Sequence, residues 1–170
     1  RFPASYQPPH RAASCAPTGD DMTDQNKHQG HRLRRGRVPL PEHVYALTLV
    51  TRNRYRWFAE HTHARIAART LYASALNKYG QTLAFVVMPD HMHWLYHLND
   101  RAELSQPVRI YKAKTSLAIG SSVWQHGFHD RAVRRNEDMQ SIARYIVANP
   151  LRAKLVTDIS GWPYWNAAWL

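Results

Sequence analysis

Cys15 is the only cysteine in 170 residues. An internal disulfide and a cysteine-rich zinc site are therefore excluded. A reducing, cytoplasmic setting is the default expectation. Long apolar runs are missing as well. The longest, Leu83 to Met88, falls far short of the ~20 residues of a membrane-spanning helix, so no membrane partner is expected. The N-terminal stretch has no continuous apolar segment of the kind a signal peptide needs. Acidic residues are scarce: 12 Asp and Glu stand against 23 Lys and Arg, a formal net charge of +11. With so few and such scattered carboxylates, a two-metal nuclease built on acidic ligands is hard to assemble. The phosphate-binding loop GxxxxGK[ST], the dinucleotide fingerprint GxGxxG, the zinc motif HExxH and the nucleophile elbow GxSxG are absent too.

What is present is apolar enough to fold and basic enough to bind a polyanion. Hydrophobic residues make up 44% of the chain, which supports one globular core and argues against wholesale disorder. A pI near 10.2 points to nucleic acid as the commonest polyanionic partner. Residues 1–30 differ from the rest. They hold Pro3, Pro8, Pro9 and Pro17 and show no hydrophobic period, and they read as a disordered extension. Met22 reads as the natural start, with 1–21 an extension upstream of it, and 31–170 as a single domain. Charge is clustered. Residues 31–70 carry nine Arg against Glu42 and Glu60, and 101–154 carry ten basic side chains against four acidic ones. Between them, 71–100 is nearly neutral and apolar: a core element flanked by two basic surfaces.

Periodicity predicts the order β-α-β-β-α-loop-α. Val44 to Thr51 reads as a strand, His61 to Tyr79 as a helix stopped by Gly80, and Leu83 to Met88 as a buried strand. Pro89-Asp90 makes a turn into a second strand, His91 to Leu98. A helix is expected over about 103–119, closed by Gly120, then a loop over 121–136 and a helix from Glu137 to Ala148 ending at Asn149-Pro150. The fold class is α+β, a small antiparallel sheet with helices packed on one face.

Within the second strand, alternation puts His91, His93, Leu95 and His97 on one face and Met92, Trp94, Tyr96 and Leu98 on the other. Two histidines two apart on a strand suit two cis ligands of one metal ion. His61 and His63 have the same spacing at a helix start, where they point ~200° apart, and are read as helix-start polar residues. In the last helix Met139, Ile142 and Ile146 form an apolar stripe, with Tyr145 at its flank and Asn149 one turn on. A phenol and a carboxamide are thus presented together. With no paired carboxylates, tyrosine is a candidate covalent nucleophile. Arg131, Arg134 and Arg135, interleaved with Trp124 and Phe128, suit phosphate contact and base stacking. Lys112 and Lys114 extend this patch with Arg109. Arg52, Arg54 and Arg56 alternate and are expected to share a face.

Together these residues resemble a known family. Val87-Met88-Pro89-Asp90-His91-Met92-His93-Trp94 resembles the His-hydrophobic-His (HUH) motif of Y1-type, IS200-like single-strand transposases. Arg144 to Ala153, RYIVANPLRA, is similar to the tyrosine helix of the REP-associated tyrosine transposases. Gly36 to Pro39, His43 to Tyr45, Trp124 to Arg134 and Tyr164-Trp165 agree with that subfamily in order, so the resemblance spans about residues 36–170. Lys154 departs from it, standing where Gly is expected. The resemblance implies a palm-like, ferredoxin-related sheet. It implies metal ligation by His91, His93 and Asn149, with Mg²⁺ or Mn²⁺, and nucleophilic attack by Tyr145 on single-stranded or hairpin DNA through a 5′-phosphotyrosine. His97 is an expected proton assistant. The expected DNA contacts are Arg34, Arg35 and Arg37 in a basic arm, with Arg52, Arg54, Lys112, Lys114, Arg131, Arg134 and Arg135. A bacterial, nucleoid-associated protein is implied, as a monomer or a homodimer. Three rival readings stay open: a non-catalytic, basic DNA-binding protein of the same fold, a metal-dependent nuclease with water as nucleophile, and a structural RNA-binding protein.

Overall fold

The structure is a computed structural model that describes residues 43–134 and 138–169. The expectations for residues 1–30, for Arg34, Arg35 and Arg37, and for Arg135 lie outside those residues.

Among the described residues, five antiparallel strands form one sheet in the order β4-β1-β3-β2-β5. They are β1 (Val44–Val50), β2 (Gly80–Met88), β3 (His91–Leu98), β4 (His129–Ala132) and β5 (Trp165–Ala167). The helices are α1 (His61–Thr70), α2 (Ser74–Asn77), α3 (Ser105–Ile119), α4 (Met139–Val147) and α5 (Asn149–Arg152). The resulting α+β fold is the class the sequence predicts. β3 is central because it is apolar on both faces at its middle, with Trp94, Leu95 and Tyr96 all fully buried. It pairs with β1 from Val44↔His97 to Val50↔His91, and with β2 through the tight Pro89-Asp90 turn, Met88↔His91.

Met92, Trp94, Tyr96 and Leu98 pack with Leu47, Leu49, Ala64, Ala67, Val108 and Tyr111 in one core. Their polar tips are satisfied there. The Tyr96 hydroxyl donates to the Leu76 carbonyl at 2.9 Å, the Tyr111 hydroxyl to the Ala67 carbonyl at 3.1 Å, and the Trp94 indole to Thr82 at 3.1 Å. Helices on one face only is the expectation that fails. Leu95, Ala84, Val86 and Met88 form a second core with Ala143, Ile146 and Val147 of α4. β2 and β3 are apolar on both sides, and the second face needs its own cover.

The helix expected over 61–79 is broken. α1 ends at Thr70, and Ala73 is extended (φ −64°, ψ 130°) before α2. Leu71 and Leu76, five apart, are roughly 140° apart on a continuous helix, yet both are fully buried. The break lets each reach the core. Gly80 then opens β2 rather than closing a helix. A Cβ there would lie 2.0 Å from the His97 carbonyl oxygen, so the close approach of β2 to β3 requires glycine. The last helix also differs. α4 ends at Val147, and Pro150 sits in the first turn of α5, where its missing N–H is no loss. On α4 the buried stripe is Ala143, Ile146 and Val147, while Met139 is exposed.

Candidate active site and basic groove

β3 presents His91 and His93 on the α4 face of the sheet, as strand alternation requires. Their rings lie 5.0 Å apart between centroids and stand nearly perpendicular, at 87°. Each ring is held through Nδ1. Asp90 Oδ1 lies 2.6 Å from His91 Nδ1, and Thr48 Oγ1 lies 3.0 Å from His93 Nδ1. Thr48 reaches His93 because the two are directly opposed across β1 and β3. In the tautomers that donate from Nδ1, both Nε2 lone pairs remain for an ion, the arrangement found behind metal-bound histidines. Burial first, then the charges of His91 and Arg152, pull the His93 imidazole down to about 4. It is therefore neutral near pH 7, as a ligand must be. Asp90 is partly buried, which by itself raises its value. The bonds from His91 and Arg54 outweigh that and leave the carboxyl below the ordinary aspartate range.

Tyr145 stands on α4 with 58% of its surface exposed. The Arg152 guanidinium lies over its ring, 4.1 Å from the centroid, within cation–π range. Arg152 therefore touches the tyrosine while its charge is felt at His93, which ties α5 to both. Asn149 Nδ2 donates to the Tyr145 and Ile146 carbonyls at 3.2 and 2.9 Å, closing the end of α4 and leaving Oδ1 as its acceptor. Among the described residues no cluster of three His, Cys, Asp or Glu assembles. Two adjacent imidazoles and no sulfur would suit a divalent ion of borderline character.

His97 shares the face of His91 and His93, but four residues of strand place it roughly 13 Å from His93. The structure does not bring it to the pair. His61 and His63 diverge as expected: His61 Nδ1 meets the Tyr164 hydroxyl at 2.5 Å, and His63 Nδ1 the Trp57 carbonyl at 3.2 Å.

Beside the histidine turn lies a groove of about 1260 Å³. Arg52, Asn53 and Arg54 form one wall, Arg109 and Lys112 of α3 another, and residues 122–128 a third. Arg52, Arg54 and Arg56 do not alternate on one face. Residues Arg52–Arg54 form a 3₁₀ turn in which Asn53 and Arg54 both adopt left-handed φ, near 55°. That turn puts Arg52 and Arg54 in the groove, while Arg56 is not part of its lining. Lys114 is exposed on α3 outside the groove, and Arg131 and Arg134 are exposed on and after β4. The stacking role expected of Trp124 does not fit its place. Its ring is buried against Phe58 and Tyr111, with centroids 5.2 and 5.6 Å away.

Sequence reasoning passed over Thr48 and Arg152, and noted Asp90 without giving it a part. Asp90 had a readable signal, a carboxylate adjoining the first histidine. Thr48 had none, since only strand register brings it to His93.

The sequence model of the family described as "Transposase IS200 like" matches residues 40–149. A REP-associated tyrosine transposase of Escherichia coli (strain K12) is 32% identical over 83 residues, 48% of this chain and 50% of that protein. A putative REP-associated tyrosine transposase of Haemophilus influenzae is 25% identical over 114 residues, 56% of this chain and 64% of that one. The chain thus spans about half to two thirds of the length of these curated relatives. A solved structure described as the REP-associated tyrosine transposase bound to a REP hairpin superposes with a TM-score of 0.66 at 25% identity. That match covers 76% of this chain and 79% of the other.

Proposed function

The chain belongs to the IS200-like transposase family, and on that premise we propose that it is a tyrosine transposase that cuts and rejoins single-stranded DNA next to a hairpin. One observation carries the reading. Two histidines with their Nδ1 atoms held, and Nε2 left to face an ion, sit beside a helix that presents an exposed tyrosine under an arginine. The relatives' names and the hairpin-bound neighbour support the same substrate.

His91, His93 and the Asn149 carboxamide oxygen would hold Mg²⁺ or Mn²⁺. When bound, the ion withdraws electron density from the scissile phosphate and orients it. Tyr145 Oη attacks phosphorus and the bond to O3′ breaks. The products are a 5′-phosphotyrosine ester and a free 3′-hydroxyl, which takes up the proton equivalent to the one the phenol loses. The ester retains the bond energy, so a 3′-hydroxyl can reverse the step or join a new strand without a nucleotide cofactor. Arg152 restrains the ring through its cation–π contact. Asp90 and Thr48 keep the two imidazoles in the ligating tautomer. Arg52, Arg54, Arg109 and Lys112 line a groove suited to the phosphates of the approaching strand. Lys114, Arg131 and Arg134 add positive potential outside it.

Cleavage of an end-labelled hairpin oligonucleotide with single-stranded flanks tests this reading. Mn²⁺-dependent cutting that is abolished by EDTA, by Tyr145→Phe and by His91→Ala is expected. Cutting that survives in Tyr145→Phe would identify a hydrolytic nuclease instead. Binding without cutting under any metal would identify a non-catalytic DNA-binding protein.

A further inference from the structure

Arg54 and Asp90 together join the groove to the histidine pair. Arg54 Nη1 lies 3.3 Å from Asp90 Oδ2, and the other oxygen of the same carboxylate lies 2.6 Å from His91 Nδ1. Arg54 is also a wall of the groove, and its side chain is 65% exposed. A guanidinium has five N–H donors in a rigid planar fork. One faces Asp90, so others are available to a phosphate in the groove.

The backbone is shaped for this placement. Asn53 and Arg54 are consecutive non-glycine residues in the left-handed region, a conformation that persists only where the surroundings impose it. The surroundings here are the histidine turn itself. The Thr51 amide donates to the Asp90 carbonyl at 3.0 Å, and the Phe58 amide to the Pro89 carbonyl at 2.9 Å. The buried Thr51 hydroxyl lies 2.8 Å from the Asp90 carbonyl and 2.7 Å from that of Tyr55. The segment from 51 to 58 is therefore stitched to the turn that starts β3, and it turns Arg54 back onto Asp90.

We propose that Arg54 couples DNA binding in the groove to metal binding at the histidine pair, acting through Asp90 on His91. A DNA phosphate held by Arg54 fixes the guanidinium. That fixes the Asp90 carboxylate, and the carboxylate fixes the His91 ring with Nε2 turned to the ion. Arg54 is a positioning residue in this scheme and contacts neither ion nor scissile bond. Linkage makes the effect reciprocal: DNA tightens the ion, and the ion tightens DNA by the same factor. The inference rests on the metal-site and DNA-binding reading above and adds to it how the two sites communicate.

The test is Mn²⁺ affinity, by titration calorimetry or by the electron paramagnetic resonance of free Mn²⁺, with and without a saturating DNA hairpin carrying single-stranded flanks. The full chain is used with Tyr145→Phe, so that the DNA stays intact. DNA is expected to tighten Mn²⁺ by at least about five-fold, the lower end of usual couplings. Arg54→Ala should cut most of that factor, whereas Arg109→Ala, on the same groove but off Asp90, should weaken DNA binding and keep it. Arg54→Lys is the sharper variant. It retains a positive charge in the groove but lacks the fork that spans phosphate and carboxylate, so at saturating DNA most of the tightening of Mn²⁺ should be lost. An unchanged factor in Arg54→Ala, or no coupling in the parent, would overturn the inference and leave the proposed function standing. Failure of the parent to bind DNA or Mn²⁺ at all would overturn the proposed function, and the inference with it.

Discussion

His91 and His93 are made into a candidate metal site by the groups behind them. Asp90 lies against one ring and Thr48 against the other, and loss of such a partner usually weakens metal binding 10–100-fold. Thr48→Val keeps shape and strand propensity and removes only the oxygen. It is expected to weaken Mn²⁺ binding roughly ten-fold, measured calorimetrically, with an unchanged melting temperature to within a few degrees. The histidines and Tyr145 were legible in the sequence because strand and helix periods fix local faces. Thr48 was not, because its partner is 45 residues away. Arg152 was not, because it reaches Tyr145 only through the turn between α4 and α5. His97 shares the face of His91 and His93 yet lies four residues along the strand from His93, because a shared face says nothing of distance along it.

At the level of the element, the termini of the helices carry information about both stability and site. Lys154 follows α5 with φ 55°. The Leu155 amide donates to the Pro150 carbonyl and the Lys154 amide to that of Leu151, both at 2.9 Å. This six-to-one and five-to-two pairing is the Schellman stop, whose left-handed residue is normally glycine. The family resemblance expects Gly there, and the backbone gives the reason. Lys154→Gly is predicted to raise stability by ~0.5–1 kcal/mol, read from chemical denaturation. Carboxylates cap the other ends. Glu60 accepts from the Thr62 and His63 amides, and Asp138 from Ser141 and the Gln140 amide. The backbone bond from Thr62 chiefly lowers Glu60, and the Ser141 hydroxyl chiefly lowers Asp138. Because their folded values lie below the unfolded ones, the stability they add is present above the ordinary carboxylate range. It is lost as pH falls through the lowered folded values. Melting temperature of the metal-free protein should fall already between pH 7 and pH 5, where unfolded His93 takes up a proton that its buried folded form refuses. It should fall further below pH 5 as the capping carboxylates protonate, this lower limb being less steep in Asp138→Asn, which caps without titrating. The last helix starts at Met139, after the Asp138 cap, and not at Glu137, whereas the start of α1 at His61 was legible. The break after Thr70 was not, since only the burial of both Leu71 and Leu76 demands it. The second face of the sheet was missed because the period of α4 reveals an apolar stripe but not which surface it covers.

Across the whole molecule, the +11 charge acquires a direction. Arg52, Arg54, Arg109 and Lys112 converge on one groove beside the histidine turn. Clustering of basic residues along the chain predicted a polyanion partner but not this convergence, which needs the 3₁₀ turn at 52–54 and α3 to meet. Trp124 shows the converse: an aromatic in a basic loop looked like a base-stacking surface and is core. If the groove carries phosphates, DNA affinity should fall log-linearly with salt, and Arg109→Ala should reduce that slope by roughly 0.7–0.9 with little change in sequence preference. An unchanged slope would move the DNA path elsewhere.

In the proposed reaction Tyr145 forms the covalent bond to DNA. After reaction of the chain with a hairpin oligonucleotide and Mn²⁺, nuclease and protease digestion followed by tandem mass spectrometry locates any nucleotide adduct. A 5′-phosphonucleotide on Tyr145, and none in the presence of EDTA, is the result this account predicts. An adduct on any other residue, or cut DNA with no adduct, would contradict it.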